Sequence, residues 1–230
     1  MGLKELLARG KVILDGATGS ELAARGVEEG PTCAACLGHP EVVESIHLDY
    51  LRAGARIVLT NTFDANEPSL ARHGREGELD AICKAAVGCA KRAASRCAKE
   101  AGAAPGDRLV AGDIGPTGEF LEPLGDLSFH DAQRLFGRIA RILAEAGADL
   151  IILETFSALD ESTAALRGAI EESGLPVLAS MTFSPTPSGP RTMMGVTPKQ
   201  AAEALAEASA TAIGANCGSL EPAAFGLLLE

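Results

Sequence analysis

The residues of this chain that could do chemistry stand at the ends of apolar runs. Lys11-Val-Ile-Leu leads to Asp15, Arg56-Ile-Val-Leu-Thr to Asn61-Thr62, and Arg108-Leu-Val-Ala-Gly to Asp113. Asp149-Leu-Ile-Ile-Leu leads to Glu154, Pro176-Val-Leu-Ala-Ser-Met to Thr182, and Thr211-Ala-Ile-Gly-Ala to Asn216-Cys217. Asp15 and Glu154 could together hold a cationic group such as a substrate ammonium, or divide into an acid/base pair. Each could equally cap a helix or pair with a lysine or arginine. Cys217 reads either as a small buried hydrophobe or as a thiolate ligand for a soft metal.

Other candidates are weaker. Cys33-Ala-Ala-Cys36 has the spacing of half a zinc knuckle or a redox pair, but no second Cys or His pair follows at suitable spacing. Cys83, Cys89 and Cys97 read as Ala-like packing residues along one helix. His39, His47, His73 and His130 have no spacing of paired ligands and read as surface or helix-terminus residues.

The elements that carry these ends alternate. Strands are expected to start near residues 12, 57, 109, 150, 177 and 211, each followed by a helical pattern. Pro40 opens a helix with Val42, Val43, Ile46 and Tyr50 on one face and Gly54 at its end. An Ala-rich helix is expected over 79–101, followed by a turn over 103–107. Ser128 and Thr197 are helix caps, and Gly174 is a helix stop. Residues 26–38, 64–77, 115–125 and 184–195 read as loops, and 212–215 as a short buried strand.

Apolar strands alternating with helices indicate a parallel α/β fold. A doubly wound sheet would place a Gly-rich phosphate turn after the first strand. Asp15-Gly-Ala-Thr-Gly-Ser20 puts an acid there instead. A (β/α)8 barrel gathers all strand ends in one mouth, and six polar strand ends favour it. The fold expected is therefore a TIM-type barrel of about six βα units, with two units of about 30 residues each still to come.

A net charge of −11 carries no basic patch for nucleic acid. No run reaches the roughly 18 apolar residues of a membrane span. The first ten residues lack the apolar core of a signal peptide. These features predict a cytoplasmic protein without nucleic-acid or membrane partners, its cysteines as thiols.

Taken in order, Ile13-Leu-Asp-Gly16, His39-Pro-Glu-Val-Val43, Tyr50-Leu-Arg-Ala-Gly-Ala55, Thr60-Asn-Thr-Phe63, Ala111-Gly-Asp-Ile-Gly-Pro116, Leu153-Glu-Thr155 and Gly214-Ala-Asn-Cys217 resemble the zinc-dependent homocysteine S-methyltransferase family. The wording is most similar to the homocysteine-binding module of cobalamin-dependent methionine synthase. The resemblance implies that residues 1–230 are one homocysteine S-methyltransferase barrel domain, with the C-terminal part of the barrel missing. It implies transfer of a methyl group to the zinc-activated thiol of homocysteine, giving methionine.

In the family Zn²⁺ is held by three cysteines. Cys217 matches one of them, and the adjacent pair that supplies the other two has no match in this chain. The resemblance places the homocysteine ammonium on Asp15 and Glu154, its carboxylate on the amides of Gly16 and Ala17, Thr62 in the pocket wall, and Asn216 in support of the metal site. The donor implied is methylcobalamin on a separate corrinoid-carrying domain or protein, with S-methylmethionine as the alternative. The absence of Trp, the single Tyr and Thr155 after the acid argue against a betaine cage. Two competing readings are a zinc-free, inactive barrel fragment that serves as a binding or scaffold domain, and a barrel lyase or aldolase using Asp15 and Glu154.

Overall fold

The computed structural model describes residues 2–28, 30–102 and 107–228. The chain runs α1 (Leu3–Leu7), α2 (Thr18–Ala24), α3 (Ala35–Gly38), α4 (Pro40–Ala53), β1 (Ile57–Leu59), α5 (Glu67–Arg72), α6 (Leu79–Glu100) and β2 (Leu109–Ile114). It continues α7 (Phe129–Glu145), β3 (Leu150–Phe156), α8 (Leu159–Ser173), β4 (Val177–Met181), α9 (Pro198–Glu207), β5 (Ala212–Ala215) and α10 (Pro222–Leu227).

The five strands are parallel and lie in sequence order, β1-β2-β3-β4-β5. A doubly wound sheet reverses its winding at a switch point. This sheet never does, so it is a segment of a barrel wall. The barrel is not closed. The run expected as a first strand, 11–15, lies beside β1 through one parallel bridge, Leu14 to Ile57, rather than as a full strand. Two hydrogen bonds hold it there: Asp15 N–H to the Ile57 carbonyl, 3.1 Å, and Arg56 N–H to the Ile13 carbonyl, 2.8 Å. At the other edge β5 pairs only with β4 among the described residues. Residues 212–215 are therefore not buried as expected: Ile213 at this edge and Ile13 at the opposite one are both exposed.

Strand periodicity sorts the side chains. On β2, Leu109 and Ala111 point into the barrel; on β3, Leu150 and Ile152 do the same, and Leu3 and Leu6 of α1 plug the floor beneath them. Continuing the alternation by two residues brings Asp113 and Glu154 to the same inner face, above that apolar floor. The alternate residues Ile151 and Leu153 meet the helices on the outside. There Phe136 of α7 meets Phe156 of β3 edge to face, centroids 5.7 Å apart.

The helices follow their sequence signals. On α7, Ala132, Phe136, Ile139, Ala140 and Leu143 form one buried stripe. Ser128 caps it, its hydroxyl accepting the Asp131 N–H at 3.1 Å. Gly54 and Gly174 end α4 and α8 with left-handed backbone, φ 117° and 63°. Thr197 and Gln200 form the capping box of α9.

Further expectations meet the structure differently. The stretches 26–38 and 64–77 are not plain loops: they hold α3 and α5, the latter capped by Asn66, whose side chain accepts the Ser69 N–H at 2.9 Å. His47 is not a surface residue but fully buried, because it shares the inner face of α4 with Val43, Ile46 and Leu51. The turn expected over 103–107 lies, apart from Asp107, outside the described residues. The packing reading of Cys83, Cys89 and Cys97 agrees with the structure, which buries each in a different cluster. No described helix is long and apolar enough to cross a membrane.

α7 and α8 approach glycine to glycine. A Cβ at Gly168 would overlap the Gln133 carbonyl and sit 2.9 Å from the Gly137 nitrogen. Gly168→Ala is expected to lower the unfolding free energy by about 2 kcal/mol, since overpacking has no soft neighbour to displace; urea denaturation checks this.

Candidate active site

The mouth at the carboxyl ends of the strands is a cavity of about 570 Å³. Asp15, Gly16, Ala17, Glu154 and Cys217 all line it, together with Asp113. No lysine, arginine or histidine is among its lining residues.

β3 is bulged just where Glu154 enters the mouth. Leu153 pairs with Ala179 and Phe156 with Met181, so three steps on β3 match two on β4. A bulge of this kind re-aims side chains at a strand's end. The extra residue is Thr155, held at φ 64°. Cys217 is the second strained residue of the site, at φ 54°. Non-glycine residues in this region cost free energy and persist where the surroundings hold them.

Asn216 holds both. Its Oδ1 accepts the Thr155 N–H at 3.0 Å and the Ser180 hydroxyl at 2.7 Å. Its Nδ2 donates to Glu154 Oε2 at 2.8 Å and to Thr155 Oγ1 at 2.7 Å. The backbone donor at Thr155 fixes which way the amide points. One side chain thus ties the ends of β3, β4 and β5 together. The Cys217 thiol is exposed, which removes the buried-hydrophobe reading; its sulfur lies 3.4 Å from Asn216 Nδ2 and 3.6 Å from Thr155 Oγ1.

The acids are held differently. Asp15 accepts the Leu59 N–H at 2.9 Å. Burial pushes its carboxyl up to about 7, against the opposing pull of that N–H, and the nearby Glu154 charge adds to the rise. His47 Nδ1 lies 4.0 Å behind it. Burial lowers the imidazole to about 4, so it is neutral at ordinary pH, and neither of its nitrogens has a hydrogen-bond partner among the described residues. Glu154 is raised by burial, with an opposing contribution from its hydrogen bond with Asp113. Asp113 is raised strongly, first by burial and then by Glu154.

Thr62 is not where the sequence reading puts it. It is buried outside the cavity lining, its hydroxyl donating to the Asp113 carbonyl at 2.6 Å. The chain turns after β1, and Thr60 takes the place on the wall. Asn216 lies beside Glu154, outside the lining of this cavity but in that of the adjoining hollow inside the barrel wall. Asp113, Ser180 and Thr60 carry no site role in the sequence reading. The signal for Asp113 was present in Leu109-x-Ala111-x-Asp113, which matches Leu150-x-Ile152-x-Glu154 in period.

The residues present do not by themselves make a zinc centre. Structural and catalytic zinc takes three or four protein ligands. Among the described residues no group of three or more His, Cys, Asp or Glu could hold a metal ion. The other five cysteines are buried. Cys217 is the one soft donor at the mouth.

A parallel barrel wall with a polar mouth at its strand ends defines the TIM-barrel class of enzymes. A homocysteine S-methyltransferase family model matches residues 12–227, and the chain belongs to that family. It is 33% identical over 220 residues to betaine–homocysteine S-methyltransferase 1 of Xenopus tropicalis, covering 94% of this chain and 51% of the relative. It is 32% identical to the Sus scrofa protein of the same name, covering 94% of this chain and 74% of that one. The metallated homocysteine methyltransferase MmuM of Escherichia coli superposes with a TM-score of 0.77 at 27% identity, over 94% of this chain and 77% of that one. The chain thus spans about half the length of the Xenopus relative.

Two outcomes follow from the acids. Between the ordinary carboxylate value of about 3.9 and about 7, folded Asp15 keeps a proton that the unfolded chain has lost. Its contribution to stability is therefore full below the lower value and is lost as pH rises through the upper one. Asp15→Asn, neutral throughout, is expected to be more stable than the parent above that window by on the order of 2 kcal/mol, and equal to it below; thermal melts across pH check this. Asn216→Asp replaces a donor to Glu154 by a second carboxylate. It is expected to lower stability by about 2 kcal/mol or more at neutral pH, and to lose most of that penalty in acid.

Proposed function

We propose that the chain binds homocysteine in this mouth and presents its thiol for methylation, giving methionine. The observation that carries the reading is a cavity lined by Asp15, Asp113 and Glu154 without a basic residue. Such a cavity is built for a ligand that brings the positive charge. In this reading Asp15 and Glu154 take the α-ammonium, and the Gly16 and Ala17 amides take the carboxylate. Asn216 fixes Glu154 on one side and Cys217 on the other. Thr60 replaces Thr62 as the hydroxyl on the wall. Residues 1–230 belong to one barrel domain.

The homocysteine sulfur gives up its proton to solvent and attacks the donor's methyl carbon in line. The S–CH₃ bond forms as the bond from donor to methyl breaks. A thiol near 8.5 is mostly protonated at neutral pH, so the reaction needs something that favours the thiolate. Cys217, beside the mouth, is the residue this chain offers toward a soft metal. The described residues add no further metal ligand beside it. For the donor we favour methylcobalamin on a separate corrinoid-carrying domain or protein, with S-methylmethionine as the alternative. The resemblance to named betaine–homocysteine enzymes makes betaine the third donor to test.

The test is methionine formation from homocysteine with each donor, using the chain and its Asp15→Asn variant. Methionine is expected with methylcobalamin, and Asp15→Asn should raise KM about tenfold or more through loss of a charged hydrogen bond. Homocysteine binding without turnover from any donor would favour the scaffold reading. An unchanged KM in the variant would contradict the ammonium assignment.

A further inference from the structure

Asp113 is the buried acid that the reading above leaves without a role. It sits on β2, 4% exposed, facing Glu154 across the inner wall. Its backbone is fully engaged: the N–H donates to Thr60 Oγ1 at 3.0 Å and the carbonyl accepts the Thr62 hydroxyl at 2.6 Å. Its carboxyl is not. Oδ1 is buried with no partner, and no lysine or arginine approaches the group among the described residues.

The neighbours of Asp113 sharpen the contrast. Asp64 meets the Thr32 N–H and hydroxyl at 2.7 and 3.0 Å and the Cys33 N–H at 3.0 Å. Asp15 has the Leu59 N–H. Both can be anions. The titratable groups that face Asp113 are Glu154 from β3, Asp15 from the first-strand run and Asp64 from the segment before α5, and all three are acids. A carboxylate without donors in such surroundings is costly. A neutral carboxylic acid there needs one acceptor for its O–H. Glu154, on the same inner face of the adjacent strand and lining the same cavity, is placed to supply it, while Asn216 occupies Glu154 Oε2.

We propose that Asp113 is a positioning residue: it stays a neutral acid and donates its proton in a hydrogen bond to Glu154, fixing Glu154 as a single anionic acceptor for a ligand ammonium. The pair then carries one negative charge, shared between two oxygens held by Asp113 and Asn216. The functional part of this inference rests on the homocysteine reading. The protonation state does not.

Infrared spectroscopy reads the proton directly. It is best recorded at a pH above the value of about 7 at which Asp15 loses its own. The full chain is expected to show a carboxylic-acid C=O band that disappears in Asp113→Asn. A band that is absent in the parent, or that persists in Asp113→Asn, overturns the assignment. For the positioning role, homocysteine titrations compare two variants. Asp113→Leu removes the donor and should bind about tenfold more weakly, whereas Asp113→Asn, which keeps an N–H donor toward Glu154, should recover most of that loss. Equal losses in both variants would contradict the role. If the parent fails to bind homocysteine while the band behaves as stated, the functional reading falls and the proton assignment stands.

Discussion

Carboxyl groups brought together in a part-buried mouth without a basic partner repel one another and lose hydration together. Two unit charges about 4 Å apart interact by about 4 kcal/mol at an effective dielectric of 20. The strands make this crowding unavoidable. Parallel pairing in sequence order aligns the carboxyl ends of β1 to β5, and the inner-face alternation delivers Asp113 and Glu154 together above an apolar floor. The surrounding structure answers with a few fixed donors. The Leu59 amide serves Asp15, and the Asn216 amide serves Glu154. In the proposed reading, the residual charge is left for a cationic ligand to neutralise.

Asn216 links that electrostatic problem to Cys217. The same amide that donates to Glu154 accepts the Thr155 N–H and sits beside the Cys217 sulfur. Thr155 and Cys217 both have left-handed backbone, conformations that the Asn216 bonds help to hold. The acid that would meet the ammonium and the thiol that would face the substrate sulfur are thus set relative to each other by one side chain. Preorganised groups of this kind need little rearrangement when a ligand arrives.

Much of this was legible in the residues. The alternation of apolar runs with Ala-rich helices indicated a parallel barrel, and Pro40, Gly54, Ser128, Gly174 and Thr197 marked helix ends where the structure has them. The strand-end acids and Cys217 share one cavity. What was not legible depends on tertiary placement. The run 11–15 has strand-like residues but pairs on one side only, so it forms a bridge. Residues 212–215 are apolar, yet they lie at an open edge. His47 looked like a surface helix residue because an imidazole buried without a hydrogen-bond partner is not a default expectation. Thr62 was misplaced by the turn after β1, whose geometry a strand pattern does not reveal. Asp113 needed the register of β2 against β3 before its partner could be named.

The central claim is that the mouth recognises an amino-acid thiol by its α-ammonium group. Calorimetric titration of the chain with homocysteine and with 4-mercaptobutyrate, which lacks only the ammonium, tests it most directly. The account predicts binding of homocysteine and at least about tenfold weaker binding of the analogue, the loss of one charge-assisted contact. Equal affinity for the two ligands would show that the acids of the mouth do not read the ammonium, and would contradict the account.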